Sequence, residues 1–350
     1  MQSDHSRFLH SCRCADLCRR DRLRRTCLAM RDMTTMELVR EMGLGINLGN
    51  TYESCGDWIA QWGDGTPESY ETAWGSPVIT QEMIQGYADA GFHTLRVPVA
   101  WSNLMGDNYT ISSAYLGAVQ EVVDWALDSD LHVIVNLHYD GGWLANFPTD
   151  KENCMTKYKR IWTQLCDAFA DYGDYLVFES QNEELGWDTL WNRWGGTTGK
   201  EESYALVNEI NQTFVDIVRS SGGNNPERHL LISGYGTDVD LTCDSLFQMP
   251  QDPAGRCAVS VHYYTPSDLR FWRRMPAGAL CAAHGARMRT YPAEPLYGYA
   301  ENDLCRQGHS GYHWRVWLPK KTKTLILCAC SCPLCARQRI PERCVRCSGM

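Results

Sequence analysis

The feature that most constrains the fold of this chain is a repeated alternation of short β-rich runs with longer helical segments. The β-rich runs are residues 44–50, 94–99, 132–138, 175–179, 229–233 and 258–264. Residues 80–90, 113–127, 153–170 and 201–219 instead space apolar side chains at helical intervals. The second of these segments places Tyr115, Val119, Val122 and Ala126 on one face. Such an order predicts parallel strands joined by helices.

Polar and aromatic residues follow nearly every one of these runs. An open nucleotide-binding sheet and a closed barrel both fit the alternation, but no Gly-x-Gly-x-x-Gly follows the first run. Functional groups at the carboxyl ends of several strands are typical of the (β/α)₈ barrel. We therefore predict the α/β class and a (β/α)₈ TIM barrel. Only six units are recognisable, so the barrel is expected to be incomplete.

The fourth run is followed by Asn182 and Glu183. Glycoside hydrolysis needs a carboxylic acid that protonates the leaving oxygen and a second carboxylate across the sugar ring. An Asn before a Glu can hold a substrate hydroxyl while the Glu faces the glycosidic oxygen. The neighbouring Glu179 and Glu184 also fit a solvated acidic loop, and the position at the end of the fourth strand favours the catalytic interpretation.

Five motifs, in order along the chain, resemble those of the cellulases of glycoside hydrolase family 5. They are residues 45–51 (GINLGNT), 96–101 (RVPVAW), 133–139 (VIVNLHY), 182–183 (NE) and 261–266 (VHYYTP). The resemblance covers residues 31–266. It implies an endo-acting, retaining β-1,4-glucanase that cleaves cellulose or a related β-glucan, with mannan, xyloglucan and mixed-linkage glucan as related specificities.

The resemblance also implies roles for individual residues. Glu183 would be the general acid and then the base, a task that requires a raised pKa. Arg96 would hydrogen-bond the nucleophile and keep it ionised, and Tyr264 would donate to the same group. The residues expected to line the sugar site nearest the scissile bond are His138, Asn182 and His262. Arg96 also fits a structural salt bridge, and both histidines fit core positions.

Aromatic side chains make up 11% of the chain, which includes 13 Trp. Aromatic faces stack on the apolar faces of pyranose rings, so several are expected in a glucan cleft. The predicted substrate-binding residues are Asn50, Trp58, Trp101, Tyr139, Trp143 and Trp187. Part of such a set can instead belong to the core. Trp125 and Trp162 fall inside helical segments and are predicted to be packing residues.

Charge is distributed unevenly along the chain, whose net charge is −9. Residues 31–266 hold 12 Lys and Arg against 34 Asp and Glu. This balance disfavours nucleic acid as a partner and suits a neutral ligand, so β-glucan polysaccharide is the expected partner. No apolar run is long enough for a membrane span. Chemistry by two carboxylates needs no metal or organic cofactor, and the sequence carries no indication of oligomeric state.

Residues 1–30 are interpreted as an extension foreign to the family. They hold seven Arg against three Asp and lack an apolar segment, so we recognise no signal peptide. An extracellular location is implied by the resemblance alone. The domain expected between residues 31 and 266 contains five scattered cysteines, which do not form the pattern of a disulfide framework.

Residues 267–350 form a Cys- and Arg-rich tail in which the strand–helix alternation stops. Family 5 carries its nucleophile in a Gly-Glu-aromatic-Gly context, and no Gly-Glu pair occurs in this chain. The glutamates Glu294, Glu301 and Glu342 do not follow β-rich runs. The nucleophile therefore remains unassigned. A catalytically defective, truncated barrel that only binds glucan is the alternative, because its unpaired strand edges and missing carboxylate would both impair function.

The codons of residues 308–319 suggest a reason for the missing motif. Moving the reading frame forward by one nucleotide permits Gly-Ile-Pro-Val-Ile-Ile-Gly-Glu-Tyr-Gly, with the two late glycines arising at Trp314 and Trp317. We therefore interpret the tail as out-of-frame translation. The spacing of Cys332 with Cys335, and of Cys344 with Cys347, also fits zinc, but in a foreign frame it is accidental, so no metal is expected.

Overall fold

The computed structural model describes residues 30–183, 185 and 189–262, together with the backbone of two later strands. The first elements are α1 (Thr35–Met42), β1 (Gly45–Asn47), α2 (Asp57–Trp62), α3 (Pro67–Glu71), α4 (Gln81–Asp89), β2 (Thr94–Val97), α5 (Ser113–Asp128) and β3 (His132–Asn136). They are followed by α6 (Lys151–Ala168), β4 (Leu176–Glu179), α7 (Lys200–Ser220), β5 (Leu230–Ser233), α8 (Val239–Thr242), β6 (Cys257–His262), β7 (Gly311–Trp317) and β8 (Ile326–Cys332).

Strands β1 to β6 are parallel, and each of β1 to β5 pairs with the next strand in the chain. Four long helices, α4 to α7, connect them in part, as the apolar spacing predicts. Together the six strands form a curled half-barrel, consistent with an incomplete (β/α)₈ barrel. The predicted fold class and all six predicted strands are therefore confirmed. Because the strands are parallel, their carboxyl ends meet at one edge, which is where polar side chains collect.

The sheet continues beyond β6 in a way that the sequence did not predict. Strand β8 pairs with β6 in parallel, and β7 pairs with β8 in antiparallel orientation, giving the order β1-β2-β3-β4-β5-β6-β8-β7. Only residues 318–325 separate β7 from β8. A parallel connection needs about a dozen residues or more, so this linker permits a hairpin but no crossover helix. The last two strands thus depart from the regular barrel order.

Helix α5 shows how apolar spacing builds the core. Its residues Tyr115, Val119, Val122 and Ala126 are all buried, as predicted from their helical face. The helix begins where the Ser112 side chain accepts a hydrogen bond from the backbone of Tyr115, which satisfies one of the free N–H groups of the first turn. Burial of this face holds α5 against the sheet.

Helix α1 covers the opposite, amino-terminal end of the half-barrel. A capping box starts it, because Thr34 and Glu37 hydrogen-bond each other's backbone N–H groups. Leu38 and Met42 then pack in a separate apolar cluster with strand residues such as Ile134 and Leu231. Among the described helices, none is long and apolar enough to cross a membrane.

Candidate active site

Arg96 of β2 organises the polar centre of the half-barrel. Its Nε donates to Oε2 of Glu179, at the end of β4, over 2.6 Å, and its Nη2 donates to Oδ1 of Asn182 over 3.0 Å. The hydroxyl of Ser260 on β6 donates to the other Glu179 oxygen over 2.6 Å. Glu179 is fully buried with both oxygens engaged, so it anchors Arg96 and has no exposed oxygen. Arg96 in turn orients the Asn182 amide.

Glu183 lies in a different environment from Glu179. Its side chain is 32% exposed, and its Oε2 is 3.6 Å from Nδ1 of His262, at the end of β6. The Thr237 hydroxyl, which follows β5, is 3.4 Å from the same oxygen. The segments after β4 and β5 and the end of β6 therefore bring a solvent-accessible carboxylate, a hydroxyl and an imidazole together.

His138 follows β3 on the same edge of the sheet. Burial, followed by the electrostatic influence of Arg96 and His262, holds the pKa of its imidazole well below the usual range. The ring is therefore neutral at neutral pH. Its Nδ1 lies 3.2 Å from Nδ2 of Asn136. Arg96, His138, Asn182, Glu183 and His262, all predicted as site residues, thus occupy the carboxyl edge of neighbouring strands.

Asn50 lies in the loop after β1 and is exposed. Its φ of +62° is in the left-handed region, which Asn tolerates better than most residues. The carboxylate of Glu53 accepts from the backbone N–H of Asn50 and from that of Thr51. Burial raises the pKa of Glu53, although these hydrogen bonds oppose the shift. Glu53 therefore holds the turn that presents Asn50.

Three of the predicted aromatic binding residues are accessible. Trp58 on α2 is 48% exposed and Tyr139 after β3 is 47% exposed. Trp143 is half-buried, and its indole N–H donates to the Asp140 carboxylate over 2.5 Å. The ammonium group of Lys157 lies 4.6 Å from the centre of the Trp143 ring. These rings have surfaces on which a sugar can stack.

The prediction that Trp101 binds substrate is wrong. Its side chain is fully buried, and its indole N–H donates to the Asn136 carbonyl over 2.9 Å. A ring without an exposed face cannot stack on a sugar, so Trp101 is a core residue that ties the end of β2 to β3. Trp162, predicted to be a packing residue, is also fully buried.

Two predicted site residues, Tyr264 and Trp187, lie outside the described residues. Apart from the backbone of β7 and β8, so does the tail, including the side chains of its cysteines. Within the described part of the chain, no group of His, Cys, Asp or Glu side chains is placed to hold a metal ion. No disulfide links any two cysteines of that part.

The sequence interpretation missed several residues that shape this centre: Asn136, Glu179, Thr237 and Ser260. One pattern could have indicated Ser260. It lies two residues before His262 on β6, and alternate residues of a strand point to the same face. The contribution of Thr237 has no such pattern, because it lies in an irregular turn after β5.

Parallel strands that carry a carboxylate, an imidazole and an amide at their carboxyl ends define an α/β-barrel protein with a polar site at that edge. The family model described as Cellulase (glycosyl hydrolase family 5) matches residues 60–276. The chain belongs to glycosyl hydrolase family 5, which confirms the predicted resemblance.

Curated and solved relatives agree with this membership. Endoglucanase B of Clostridium cellulovorans is 35% identical over 239 residues, which are 68% of this chain and 50% of that protein. A xyloglucan-specific endo-β-1,4-glucanase of Bacteroides ovatus is 39% identical over 244 residues, covering 68% and 46%. The solved Bacteroides ovatus GH5 xyloglucanase in complex with a XXXG heptasaccharide aligns with a TM-score of 0.60 at 36% identity, covering 71% and 52%. The chain spans about half the length of these relatives.

Proposed function

We propose that this chain hydrolyses β-1,4-glucosidic bonds within cellulose or a related β-glucan, with net retention and with Glu183 as the general acid/base. The observation that carries the proposal is the solvent-accessible Glu183 carboxylate beside His262 and Thr237, at the carboxyl edge of a family 5 barrel. The fully engaged Glu179 offers no comparable group. Between these two described carboxylates, Glu183 is therefore the one that can meet a glycosidic oxygen.

The proposed reaction uses Glu183 twice. As an acid it protonates the leaving oxygen, and as a base it then takes a proton from the water that releases the sugar. Asn182, whose Oδ1 is held by Arg96, presents its NH₂ group to a substrate hydroxyl. The nucleophilic carboxylate is not assigned to any residue. Its expected contacts with Arg96 and Tyr264 stay predictions. In the described residues, the hydrogen bonds of Arg96 include those to Asn47, Glu179 and Asn182.

The substrate class follows from charge and aromatic surface. Residues 31–266 are strongly acidic, which favours an uncharged polymer over an anionic one, and Trp58, Tyr139 and Trp143 supply surfaces for stacking. The Bacteroides ovatus relative is named as specific for xyloglucan, so xyloglucan belongs among the candidate substrates beside cellulose. Polymers of this kind are met outside the cell, where we place the action of this protein.

Hydrolysis of soluble glucans tests the proposal. We expect reducing ends to appear from carboxymethyl cellulose or xyloglucan, with a rapid loss of viscosity that marks internal cleavage. Glu183→Gln should lower the rate by about 10²- to 10⁴-fold, the usual contribution of general acid–base catalysis. Glu209→Gln, which alters an exposed carboxylate of α7, is the matched control. Equal rates for native protein and Glu183→Gln would overturn the proposed role.

A second candidate function, binding without hydrolysis, is favoured by the reversed strand order after β6. Strand β8 occupies the place beside β6 that the seventh strand takes in a regular barrel, and β7 runs antiparallel to it. A nucleophile presented by a regular seventh strand would then be missing. Retention of the protein on cellulose without release of reducing ends would support this candidate.

We also infer that residues 1–30 are foreign to the family domain of residues 31–266 and that residues 267–350 are translated out of frame. The shifted frame of residues 308–319 would encode the Gly-Glu-aromatic-Gly motif that family 5 requires. The nucleotide sequence of codons 260–330 tests this inference. A single-base shift that yields this motif supports it, and a frame that yields no such motif rejects it.

A further inference from the structure

Asn136 at the end of β3 is fully buried and is held through both its side chain and its backbone. Its Oδ1 lies 3.3 Å from the backbone nitrogen of Val99, and its Nδ2 lies 3.2 Å from Nδ1 of His138. The Asn136 carbonyl also accepts from the Trp101 indole. The backbone N–H of His138 donates to the Val99 carbonyl over 2.9 Å. These contacts lock Asn136 and His138 to the end of β2.

The Val99 contact fixes the orientation of the Asn136 amide. A backbone N–H can only donate, so the atom facing Val99 must be the amide oxygen. The NH₂ group then faces His138, and an NH₂ group can also only donate. Nδ1 of His138 must therefore accept, which means that it carries no proton. In a neutral imidazole, the proton is then on Nε2.

We infer that Asn136 is a positioning residue that fixes His138 in its Nε2-protonated tautomer and so makes His138 a hydrogen-bond donor toward the sugar site. Among the described residues, no hydrogen bond uses Nε2 of His138. Nδ1 of the neutral ring carries no proton and already accepts from Asn136. The ring can therefore offer only its Nε2–H, and the partner of Nε2 must be an acceptor oxygen. This last step rests on the proposed function, because the acceptor would be a hydroxyl oxygen of the bound glucan.

The electrostatic surroundings of His138 agree with a single proton on the ring. Burial and the neighbouring Arg96 and His262 all lower its pKa, so a second proton is disfavoured at neutral pH. Without the Asn136 contact, either nitrogen of a neutral ring could carry the proton. The lowered pKa keeps the ring neutral, and the Asn136 amide determines which of the two ring nitrogens carries the proton.

Nitrogen NMR of the native protein tests the tautomer directly at neutral pH. The spectrum of His138→Gln identifies the His138 signals by their disappearance. We expect one protonated and one bare ring nitrogen, with the bare nitrogen at Nδ1. A proton on Nδ1, whether alone or together with one on Nε2, would overturn the inference. This measurement needs no substrate, so its outcome is independent of whether the protein hydrolyses glucan.

Asn136→Asp tests the role of the amide with almost no change of shape. The carboxylate can still accept from Val99, but toward His138 it accepts where the amide donated, so the ring proton should move to Nδ1 in the NMR spectrum. Binding of cellotetraose should weaken by about tenfold, the effect of losing one hydrogen bond. Unchanged His138 signals in a folded Asn136→Asp variant would contradict the inference. Failure of the native protein to bind cellotetraose would instead contradict the proposed function.

Discussion

At the scale of single residues, Glu179 and Glu183 are four positions apart and differ in what they can do. Glu179 is fully buried, and Arg96 and Ser260 occupy its two oxygens. Glu183 keeps about a third of its side chain accessible. A buried carboxylate with two strong donors balances the charge of Arg96, whereas an accessible one can approach a substrate.

Replacing Glu179 by Gln should destabilise the protein far more than a comparable change at the surface. The variant breaks the buried ion pair between Glu179 and Arg96, which costs about 3–5 kcal/mol of unfolding free energy. Glu209→Gln, which removes an exposed pair with Lys151, should cost about 1 kcal/mol or less. Urea unfolding of both variants measures the difference, and equal losses would contradict the structural role given to Glu179.

The sequence could indicate Asn182 and Glu183 as candidate site residues because the two are adjacent and form a recognisable motif. It could not predict the contacts that Ser260 and Asn136 make in the same way. Ser260 meets Glu179 across a separation of 81 residues, and Asn136 matters through its contacts with Val99 and His138. Such contacts depend on strand register, which the motifs do not contain. For the same reason, Trp101 was predicted to bind sugar although it packs in the core.

At the scale of elements, helix α1 stands out because it closes the amino-terminal end of the half-barrel. Leu38 is 1% exposed and packs with residues of β3, β4, β5 and β6 in a cluster of its own. The helix is short and has little stability alone. Its burial against the strand ends is therefore what keeps it in place.

Shortening the Leu38 side chain tests how much the packing of α1 against the strands stabilises the half-barrel. Leu38→Ala should lower the unfolding free energy by about 2–5 kcal/mol, because it removes buried methyl groups and leaves a cavity. Arg40→Ala, at an exposed position of the same helix, should change it by about 0.5 kcal/mol or less. Urea unfolding compares the two variants. A loss as small for Leu38→Ala as for Arg40→Ala would show that α1 does not stabilise the half-barrel.

The starts of β3 and β5 carry buried histidines that make stability depend on pH. Burial is the main cause that lowers the pKa of His132 to about 4 and of His229 to about 3. An unfolded histidine takes up its proton near pH 6.5. The unfolded chain therefore binds more protons than the folded chain between these values, and stability falls as the pH drops from about 6.5 toward 4.

His132→Gln should flatten this dependence. Removal of one such group should lower the slope of unfolding free energy against pH by about 1.4 kcal/mol per pH unit within the window from about pH 6 to 4.5. Urea unfolding at several pH values provides the slope. The native protein and the variant should converge in slope above about pH 7.5, where neither state of His132 is charged. Identical slopes within the window would contradict the assigned pKa.

Long regular helices could be predicted from the sequence, whereas the short helices and the two strands of the tail could not. The predicted helix at residues 113–127 matches α5 (Ser113–Asp128) because its apolar period persists over four turns. Helices α2 and α3 have six and five residues, too few for a period to emerge. The β7–β8 hairpin lies in the tail, where the expected alternation ends, and its pairing depends on the short linker between the two strands.

At the scale of the whole molecule, the half-barrel carries Glu183, the carboxylate that we propose as the general acid/base. The acidic charge of residues 31–266, the accessible aromatic rings and the cluster at Glu183 all lie in this part. If the tail is translated out of frame, the chain would keep the family domain but lack the nucleophile. Family membership would then not imply catalytic activity. The catalytic competence of the chain is therefore the property on which the proposed functions differ.

The most direct test of the central claim compares two substrates with the native protein and Glu183→Gln. Carboxymethyl cellulose has a poor leaving group that needs a proton, whereas 2,4-dinitrophenyl β-cellobioside releases its phenolate without one. If Glu183 is the general acid, Glu183→Gln should lose about 10²- to 10⁴-fold in rate on carboxymethyl cellulose and still release dinitrophenolate in a first turnover at close to the native rate. Equal losses on both substrates, or an unchanged rate on carboxymethyl cellulose, would contradict the account.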